Sequence, residues 1–368
     1  MQNNYNIFIG TSVHRWNDNR IFHKEAVSLA KKFNVELHAP SDFSERNVNG
    51  VNIIGFPIWE KESDRKLIRK QLWLRLKKSN SDLFIFHDPE LIWIGIKASI
   101  FLKRKVIYDI HEHTIQSIIR KKWLNPISKI IAIVGYSILQ QISKLFFYHY
   151  LLAEESYRSF INKKSTVIYN YPLKIDYDHQ SSKEFDLVYL GDITEDRGAL
   201  NMINILSILK RKIPTINIAL IGKVPPMLKD ELDNAIMEYG LVNNTKIFGY
   251  MDYSEAMKVV CKSRVGLCLL KPIKNYIDSY PTKLFDYMQV GVPYICSNFP
   301  LYIKLLEKCN AGISVDPLDG ESIAISIYDL LNDQDRYNDL SKNGIKALNK
   351  DYNWSTQENK LFNLVESL

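Results

Sequence analysis

Short apolar runs alternate with longer, periodic stretches along most of this chain, and the alternation limits the folds that are open to it. The runs have the length of buried strands, and the stretches between them have the spacing of helices that cover a sheet. This order is typical of parallel α/β units. It predicts two series of strands, one at Tyr5–Gly10, Val35–His38, Leu83–His87 and Lys105–Asp109, and another at Phe185–Gly191, Ile216–Gly222, Thr245–Gly249, Val265–Leu270 and Pro293–Ser297.

Two series in a chain of 368 residues predict two domains, because one hydrophobic core seldom serves a chain of this length. The stretch after Pro172 is polar and turn-rich, which is typical of a linker. We therefore expect a first domain over 1–172, a linker over 173–184 and a second domain over 185–352. A C-terminal helix at about 353–368 is expected to pack back on the first domain.

Cysteine usage and the N-terminal sequence indicate the compartment. The four cysteines form no CxxC pair, which argues against a disulfide scaffold or a zinc knuckle and suits a reducing environment. The N-terminus, MQNNYNIFIG, lacks the basic and apolar regions of a signal peptide. We expect a cytoplasmic protein.

Basic residues are concentrated in one part of the chain. Between Lys61 and Ile130 there are 16 Lys and Arg against 7 Asp and Glu, although the net charge of the whole chain is only +7. Such asymmetry indicates a polyanionic partner, either an anionic lipid surface or nucleic acid. Nucleic acid is the weaker candidate, because aromatic residues are not interleaved with the basic ones and no known binding module is present.

Two helical segments of the first domain bear on membrane contact. Arg65–Lys78 places a stripe of Ile68, Leu72 and Leu76 among seven basic residues, so a solvated face and a membrane-surface face are both open. Trp123–Leu152 is the most apolar segment, but Lys and Gln residues interrupt it and it fails the requirement of a spanning helix. We predict that it is a well-buried helix.

Polar residues follow two predicted strands of the first series. HDPEL contains His87 and Asp88, where Asp-Pro is typical of a turn. YDIHEHT places Asp109, His111 and His113 on one face of an extended strand, where they could bind a metal. Of these, His111 is the candidate for a functional imidazole at a cleft, whereas His113 is expected to be a hydrogen-bonded strand end.

The second series contains two candidate anion sites. GDITEDRG, from Gly191 to Gly198, connects a strand to a helix and carries Arg197, whose planar fork suits phosphate. Further on, Pro281 and Thr282 open a helix with Lys283 in its first turn and Asp286 beyond it. Backbone amides and a cation would there meet one anion. The sequence has no GxxxxGK[ST] loop, GxGxxG fingerprint after the first strand or GxSxG elbow.

These motifs, in this order, resemble those of the retaining family-four glycosyltransferases. The stretch Tyr276–Ser297 is similar to the donor motif of that family, two glutamates with seven residues between them and a following Gly-x-Pro turn, although here both acids are aspartates, Asp278 and Asp286. NDNRIFHKEA, HDPEL, YDIHE, VIYNYP and GDITEDRG resemble the other signatures of the family in sequence. A second departure is Asp192, where many members carry a basic residue.

The resemblance implies a GT-B fold, with two Rossmann-like parallel-sheet α/β domains facing a central cleft. It implies catalytic roles for His111, which contacts the donor sugar or its transition state, and for Asp278, which binds hydroxyls of the transferred sugar. The implied donor-binding residues are Arg197 and Lys283 at the diphosphate, Asp286 at the ribose, and Gly191, Thr282, Phe248 and Tyr250 around them. The implied acceptor-side residues are Asp18, Arg20, His87, Asp88 and Glu112.

The implied activity is transfer, with retention, of a hexosyl or N-acetylhexosaminyl group from a UDP- or GDP-linked donor. The implied acceptor is a saccharide, lipid-linked through a polyprenyl chain, in surface polysaccharide biosynthesis. We expect no cofactor and no metal, no nucleic acid partner, and peripheral binding to the anionic inner face of the plasma membrane. A metal-dependent hydrolase built on Asp109, His111 and His113, and a sugar-nucleotide epimerase of GT-B fold, remain as alternatives.

Overall fold

The computed structural model describes residues 5–121, 124–161, 164–177 and 182–368, and it divides the chain into two units. The first comprises Met1–Asn170 together with Trp354–Leu368, and the second comprises Tyr171–Asn353. Residues 178–181 of the predicted linker, and residues 122–123, lie outside the described part of the chain.

The first unit is built on an eight-stranded sheet in the order β3-β4-β2-β1-β5-β6-β7-β8. Neighbouring strands in this sheet are parallel, except for the antiparallel edge pair β3 and β4. The strands are β1 Asn6–Gly10, β2 Asn34–Pro40, β3 Glu45–Val48, β4 Val51–Phe56, β5 Leu83–Phe86, β6 Lys105–Ile110, β7 His149–Leu152 and β8 Ser165–Val167. Central strands such as β5 are buried along their whole length, because helices cover both faces of the sheet.

The helices of the first unit include one that returns from the end of the chain. They are a π-helical turn Ile21–Ala26 that continues as α1 Val27–Ala30, then α2 Glu62–Lys78, α3 Ile92–Phe101, α4 Thr114–Arg120, α5 Pro126–Phe146 and, from the C-terminus, α14 Trp354–Glu366. The buried indole of Trp354 donates to Ser28 Oγ at 2.8 Å and fixes α14 against α1.

The second unit is a six-stranded parallel sheet in the order β11-β10-β9-β12-β13-β14. Its strands are β9 Phe185–Leu190, β10 Ile218–Ile221, β11 Thr245–Gly249, β12 Ser263–Cys268, β13 Tyr294–Ser297 and β14 Gly312–Val315. Its helices are α6 Ala199–Lys210, α7 Pro226–Glu238, α8 Tyr253–Cys261, α9 Lys274–Ile277, α10 Thr282–Gln289, α11 Pro300–Cys309, α12 Gly320–Asn332 and α13 Gln334–Lys350.

Sequence periodicity found the central strands of both sheets and missed five that lie toward the edges. The missed strands are β3, β4, β7, β8 and β14, each of three to six residues. An edge strand such as β3, with the sequence ERNV, is exposed and needs no apolar run. Short edge strands therefore give little signal in a sequence.

A membrane-surface role for the apolar stripe of α2, which the sequence left open beside a solvated face, is excluded. Ile68, Leu72 and Leu76 are at most 2% exposed and belong to the core of the first unit, so the apolar stripe is already covered by protein. Burying each side chain stabilises the fold by about 2 kcal/mol. The outward side of α2 carries its basic residues together with the exposed Leu67 and Leu74.

The prediction that α5 is well buried is also wrong. Only Tyr136, Gln140 and Ser143 of this helix are buried, whereas isoleucines along its other side are largely exposed. Even so, within the described residues no helix combines the length and apolar character needed to cross a bilayer.

Candidate active site

In the first unit, the polar motifs meet where the strand order changes direction. The chain proceeds from β1 to β2 on one side and, through β5, to β6 on the other, so the loops after β1 and β5 separate at the carboxyl edge of the sheet. Ligands bind in such crevices in open parallel sheets. Thr11 and His87 follow these two strands, and His111 follows β6.

A buried ionic cluster lies beneath this edge. Arg20 donates from Nε and Nη2 to the two carboxylate oxygens of Asp109, at 2.7 and 2.8 Å, and from Nη1 to the Ile168 carbonyl at 2.9 Å. Glu25 Oε1 lies 3.1 Å from the same guanidinium, and Glu25 Oε2 lies 2.8 Å from His87 Nε2. Arg20 is 5% exposed and the others at most 1%.

Opposite charges in this cluster stabilise one another. Burial would raise the pKa of Asp109, but the Arg20 guanidinium outweighs burial and lowers it. Burial raises the pKa of Glu25, and the pKa of His87 is also raised because the nearby Glu25 and Asp109 carboxylates outweigh its burial. Arg20 and His87, predicted on the acceptor side, are thus placed beneath the surface, where they position other groups.

The metal site considered from the sequence is not assembled. His113 accepts from the Gln116 amide at 3.4 Å and caps α4, with its ring against Phe160, away from Asp109 and His111. A different trio of described residues, Glu25, His87 and Asp109, has ligand spacing, since its oxygen and nitrogen atoms lie within 4.8 Å of one another. Arg20 already supplies the positive charge there, so these residues do not fit a cation.

His111 lies at the end of β6 with 21% of its side chain exposed. Burial lowers its pKa to about 4, against the opposing effect of Asp109, so the imidazole is neutral at physiological pH. Its ring centre lies 5.1 Å from that of His14, whose nitrogens are 3.2 Å from Asp18 and 3.6 Å from Asp88. The neutral imidazole of His111 therefore lies beside the imidazole of His14, which contacts two carboxylates.

His14 was not singled out from the sequence. Burial would lower its pKa, but the hydrogen bond and charge of Asp18, with help from Asp88, raise it. Asp18 also accepts from the amides of Arg20 and Ile21 at 2.8 and 2.9 Å, and its pKa is lowered although burial opposes this. The available signal was its place in the first loop after β1, GTSVH, at the same sheet edge as His87 and His111.

Asp88 holds the loops after β1 and β5 together. Its Oδ2 accepts from the Thr11 hydroxyl at 2.9 Å and from the Ser12 amide at 2.6 Å. Ser12 Oγ in turn donates to Glu90, which pairs with Arg65 and Arg69 of α2. Asp88 precedes a short 3₁₀ helix, Pro89–Leu91, but its carboxylate does not cap this helix.

In the second unit, two cations converge above Gly191 in the loop after β9. A Cβ at this position would lie 3.4 Å from Arg197 Nη1 and 3.4 Å from Lys283 Nζ, and the backbone has φ +122°. Arg197 Nε donates to the Tyr276 hydroxyl at 3.4 Å, and Arg197 Nη1 lies 4.0 Å from Asp192 Oδ2. A glycine here leaves room for an anion between the two cations.

Lys283 is a buried cation with no hydrogen-bond partner among the described residues. It is 7% exposed, and its Nζ lies 3.7 Å from the centre of the Tyr189 ring. Burial lowers its pKa to about 7, and the positive charge of Arg197 adds to that effect. An unpartnered, half-titrated lysine beside a helix N-terminus is suited to bind phosphate.

Asp286 lies one turn beyond Lys283 on α10 and is 6% exposed. Its Oδ1 accepts from the Tyr253 hydroxyl at 2.7 Å, and burial together with Asp286 raises the pKa of that tyrosine. The structure thus gives this carboxylate a protein partner from α8.

The other residues predicted for the site are surface positions. Asp278 ends α9 and is exposed, and Thr282 is exposed at the start of α10. Phe248 packs edge-on against Phe185, while 70% of Tyr250 is exposed with Lys223 Nζ at 5.0 Å from its ring. In the first unit, Glu112 is exposed. The charge of Glu112 also helps to raise the pKa of His14. The roles of all five residues stay predictions.

A family model matches a stretch that lies within the second unit. Residues 174–347 match the family model described as glycosyl transferases group 1. A comparison with the curated proteins finds no match.

Solved structures resemble the chain over nearly its whole length. Sucrose-phosphate synthase from Thermosynechococcus elongatus is 12% identical, with a TM-score of 0.75 over 99% of this chain and 98% of that one. Anabaena HepE in complex with UDP-glucose is 14% identical, with a TM-score of 0.71 over 99% and 100%. An Escherichia coli protein described as trehalose-6-phosphate, bound with UDP-2-fluoro glucose, is 11% identical, with a TM-score of 0.71 over 99% of both chains. The predicted GT-B fold is thereby confirmed.

Proposed function

We propose that this protein, whose residues 174–347 place it among the group 1 glycosyltransferases, transfers a hexosyl or N-acetylhexosaminyl group from a nucleotide diphosphate sugar to a saccharide. The family resemblance predicted from the sequence is confirmed at the level of this group. The observation that carries the proposal is the convergence of Arg197 and Lys283 on the space above Gly191. Two cations at one point, one of them unpartnered, match the charge of a diphosphate.

Sugar transfer breaks the bond between the anomeric carbon and the diphosphate oxygen. Negative charge then develops on the leaving diphosphate and positive charge on the sugar ring. Arg197 and Lys283 would stabilise the leaving group, with the backbone amides that open α10 at Thr282. Because charges preorganised in a dry site act more strongly than the same charges in water, burial of Lys283 strengthens this effect.

We assign the sugar side of the reaction to His111 and Asp278. A neutral His111 can donate from one ring nitrogen and accept at the other, so it can bind sugar hydroxyls without adding positive charge next to the developing oxocarbenium ion. Transfer is proposed to retain configuration: the acceptor oxygen attacks from the face that the diphosphate leaves. The acceptor proton then passes to the departing diphosphate oxygen. Asp18, Asp88 and Glu112 are proposed to line the acceptor side.

The donor nucleotide is proposed to be UDP or GDP. HepE was solved with UDP-glucose, which makes uracil the first base to test. We further propose that the acceptor is a polyprenyl-linked saccharide of surface polysaccharide biosynthesis, reached at the inner face of the plasma membrane. The concentration of basic residues between Lys61 and Ile130 supports this placement, because anionic lipids attract such a surface.

The test is a melting-temperature panel of UDP, GDP, CMP and ADP sugars, followed by transfer assays with the donor that binds. A donor present at one hundred times its Kd stabilises the folded state by about 2.7 kcal/mol, a readily measured increase in Tm. Stabilisation by none of these donors would refute the proposal. Consumption of the donor without any acceptor would instead favour the epimerase alternative.

A further inference from the structure

The outer side of α5 in the first unit is apolar over most of its length, with Gln141 as its exposed polar residue. Six side chains along it are 50–77% exposed, namely Ile127, Ile130, Ile131, Val134, Ile138 and Leu145. With 3.6 residues per turn, these positions fall on one stripe about 27 Å long. Among the exposed positions of this helix none is charged. We call this surface the α5 stripe.

The neighbouring helix α3 extends the apolar surface. Trp93, Ile100 and Phe101 are 53%, 45% and 71% exposed. The C-terminal ends of α3 and α5 meet, where Ser99 Oγ donates to the Phe146 carbonyl at 2.9 Å. An apolar surface of several such side chains is typical of a binding face.

A basic cleft lies at the point where α3 and α5 end. It has a volume of about 460 Å³ and carries four cationic side chains and no acidic one among the described residues. Its lining consists of Ser99, Lys103, Arg104, Lys105, Phe146, Phe147, Tyr148 and Lys164. Lys105 also donates to the Leu368 main-chain oxygen. Phe146 follows directly on Leu145, the last residue of the α5 stripe, so the cleft and the stripe adjoin.

The backbone at Lys103 favours a different residue. Its φ of +53° lies in the left-handed region, just beyond the end of α3, where glycine or asparagine is usual. A lysine there is less favourable than glycine, because its Cβ crowds the following carbonyl oxygen. The exposed ammonium that it adds to the cleft is a reason for its presence.

We propose that the α5 stripe and the basic cleft form one docking surface for an anionic bilayer. The stripe would enter the boundary between headgroups and acyl chains, and the cleft would bind the phosphate of an anionic lipid headgroup. Charge decides against a second copy of this chain as the occupant. A two-fold dimer pairs a patch with itself, which would bring two basic clefts to one interface, whereas an anionic bilayer supplies the opposite charge. The inference rests on the proposed function only in taking the acceptor from the same membrane.

The apolar part is tested by vesicle co-sedimentation of the whole chain, without nucleotide sugar. The vesicles are phosphatidylcholine, alone or with about one third phosphatidylglycerol. We expect wild type to bind the mixed vesicles and the double variant Ile131→Gln, Ile138→Gln to bind at least tenfold more weakly. The matched control is Leu67→Gln, Leu74→Gln, which changes two exposed leucines of α2 and should leave binding unchanged.

The basic part is tested with Lys103→Gln, Lys164→Gln, against the control Lys66→Gln, Lys70→Gln on the exposed side of α2. The cleft variant should lose most of the preference for anionic vesicles and have a weaker salt dependence, whereas the α2 control should lose less than half of it. Equal losses in both pairs would overturn the cleft as a headgroup site.

The docking surface fails if wild type does not bind mixed vesicles at low salt, or if the glutamine changes in α5 leave binding intact. It also fails if light scattering shows a dimer that those changes dissociate. Sugar transfer to a water-soluble acceptor separates this outcome from the proposed function. Wild type that transfers sugar but does not bind mixed vesicles overturns only the docking surface, while wild type that binds vesicles without transferring sugar overturns only the activity.

Discussion

Donor binding should draw a proton from solution onto Lys283. In the free protein, burial holds the pKa of this lysine at about 7, instead of the usual 10.5. A bound diphosphate gives the ammonium the opposite charge that it lacks, so its pKa should rise toward the usual value. Full restoration corresponds to about 5 kcal/mol at 1.36 kcal/mol per pKa unit, an upper bound on the coupling.

The number of protons follows from that pKa. At pH 8 about nine tenths of Lys283 is neutral, so binding should take up about 0.9 proton, and at pH 6 the uptake should fall to about 0.1. Titration calorimetry with UDP-glucose, or with the nucleotide sugar that the panel selects, measures the uptake from observed enthalpies in buffers of different ionisation enthalpy. A nucleotide sugar is the suitable probe because its diphosphate does not titrate in this range.

The variant Lys283→Met should abolish the uptake at pH 8 and weaken binding of the nucleotide diphosphate far more than binding of the nucleoside. Lys271→Met is the matched control, since Lys271 pairs with the exposed Glu195 near the same loop and should keep the uptake of wild type. Without a donor, the lowered pKa also predicts that wild type becomes more stable as pH rises from 7 to 10.5, because the unfolded chain binds the extra proton. Zero uptake at pH 8 by a wild-type protein that binds the donor would refute the reasoning.

Three further predictions concern single side chains. His111→Ala should lower kcat at least tenfold with little change in donor affinity, and wild-type kcat should show no ionisation of this histidine above about pH 5, because its pKa is about 4. Arg20→Met should destabilise the first unit by about 3–5 kcal/mol in urea unfolding, since it leaves the buried Asp109 carboxylate unpaired. The exposed control Arg158→Met should stay within about 1 kcal/mol of wild type. Asp286→Ala should weaken donor binding and leave kcat largely unchanged, as measured by calorimetry and initial rates.

Each of the three has a result that would contradict it. Unchanged turnover of the His111 variant would make the imidazole structural. A small loss of stability in the Arg20 variant would mean that Asp109 is protonated or solvated. Wild-type donor affinity in the Asp286 variant would show that this carboxylate does not bind the donor.

Local sequence was sufficient to place the loop after β9 and the first turn of α10, whose cations converge above Gly191. Gly191, Arg197 and Lys283 each belong to a strand–loop–helix unit, and such units place loops at the carboxyl edge of a parallel sheet whatever the rest of the chain does. The Lys283 ammonium lies over the ring of Tyr189. The sequence predicted Tyr189 only as a residue of a strand. Its function as the floor of the site depends on a helix more than ninety residues away in sequence.

The sequence by itself determined the α/β class, the central strands, the family resemblance and the placement of the two polar edges, because these follow from local periodicity and from motif order. Tertiary structure alone decided which polar groups became partners. Arg20 pairs with Asp109, and the apolar stripe of α2 is buried while that of α5 is exposed. A stripe of isoleucines or leucines has the same pattern in both cases. Which one meets the core depends on the sheet that each helix packs against, and those contacts join residues far apart in the chain.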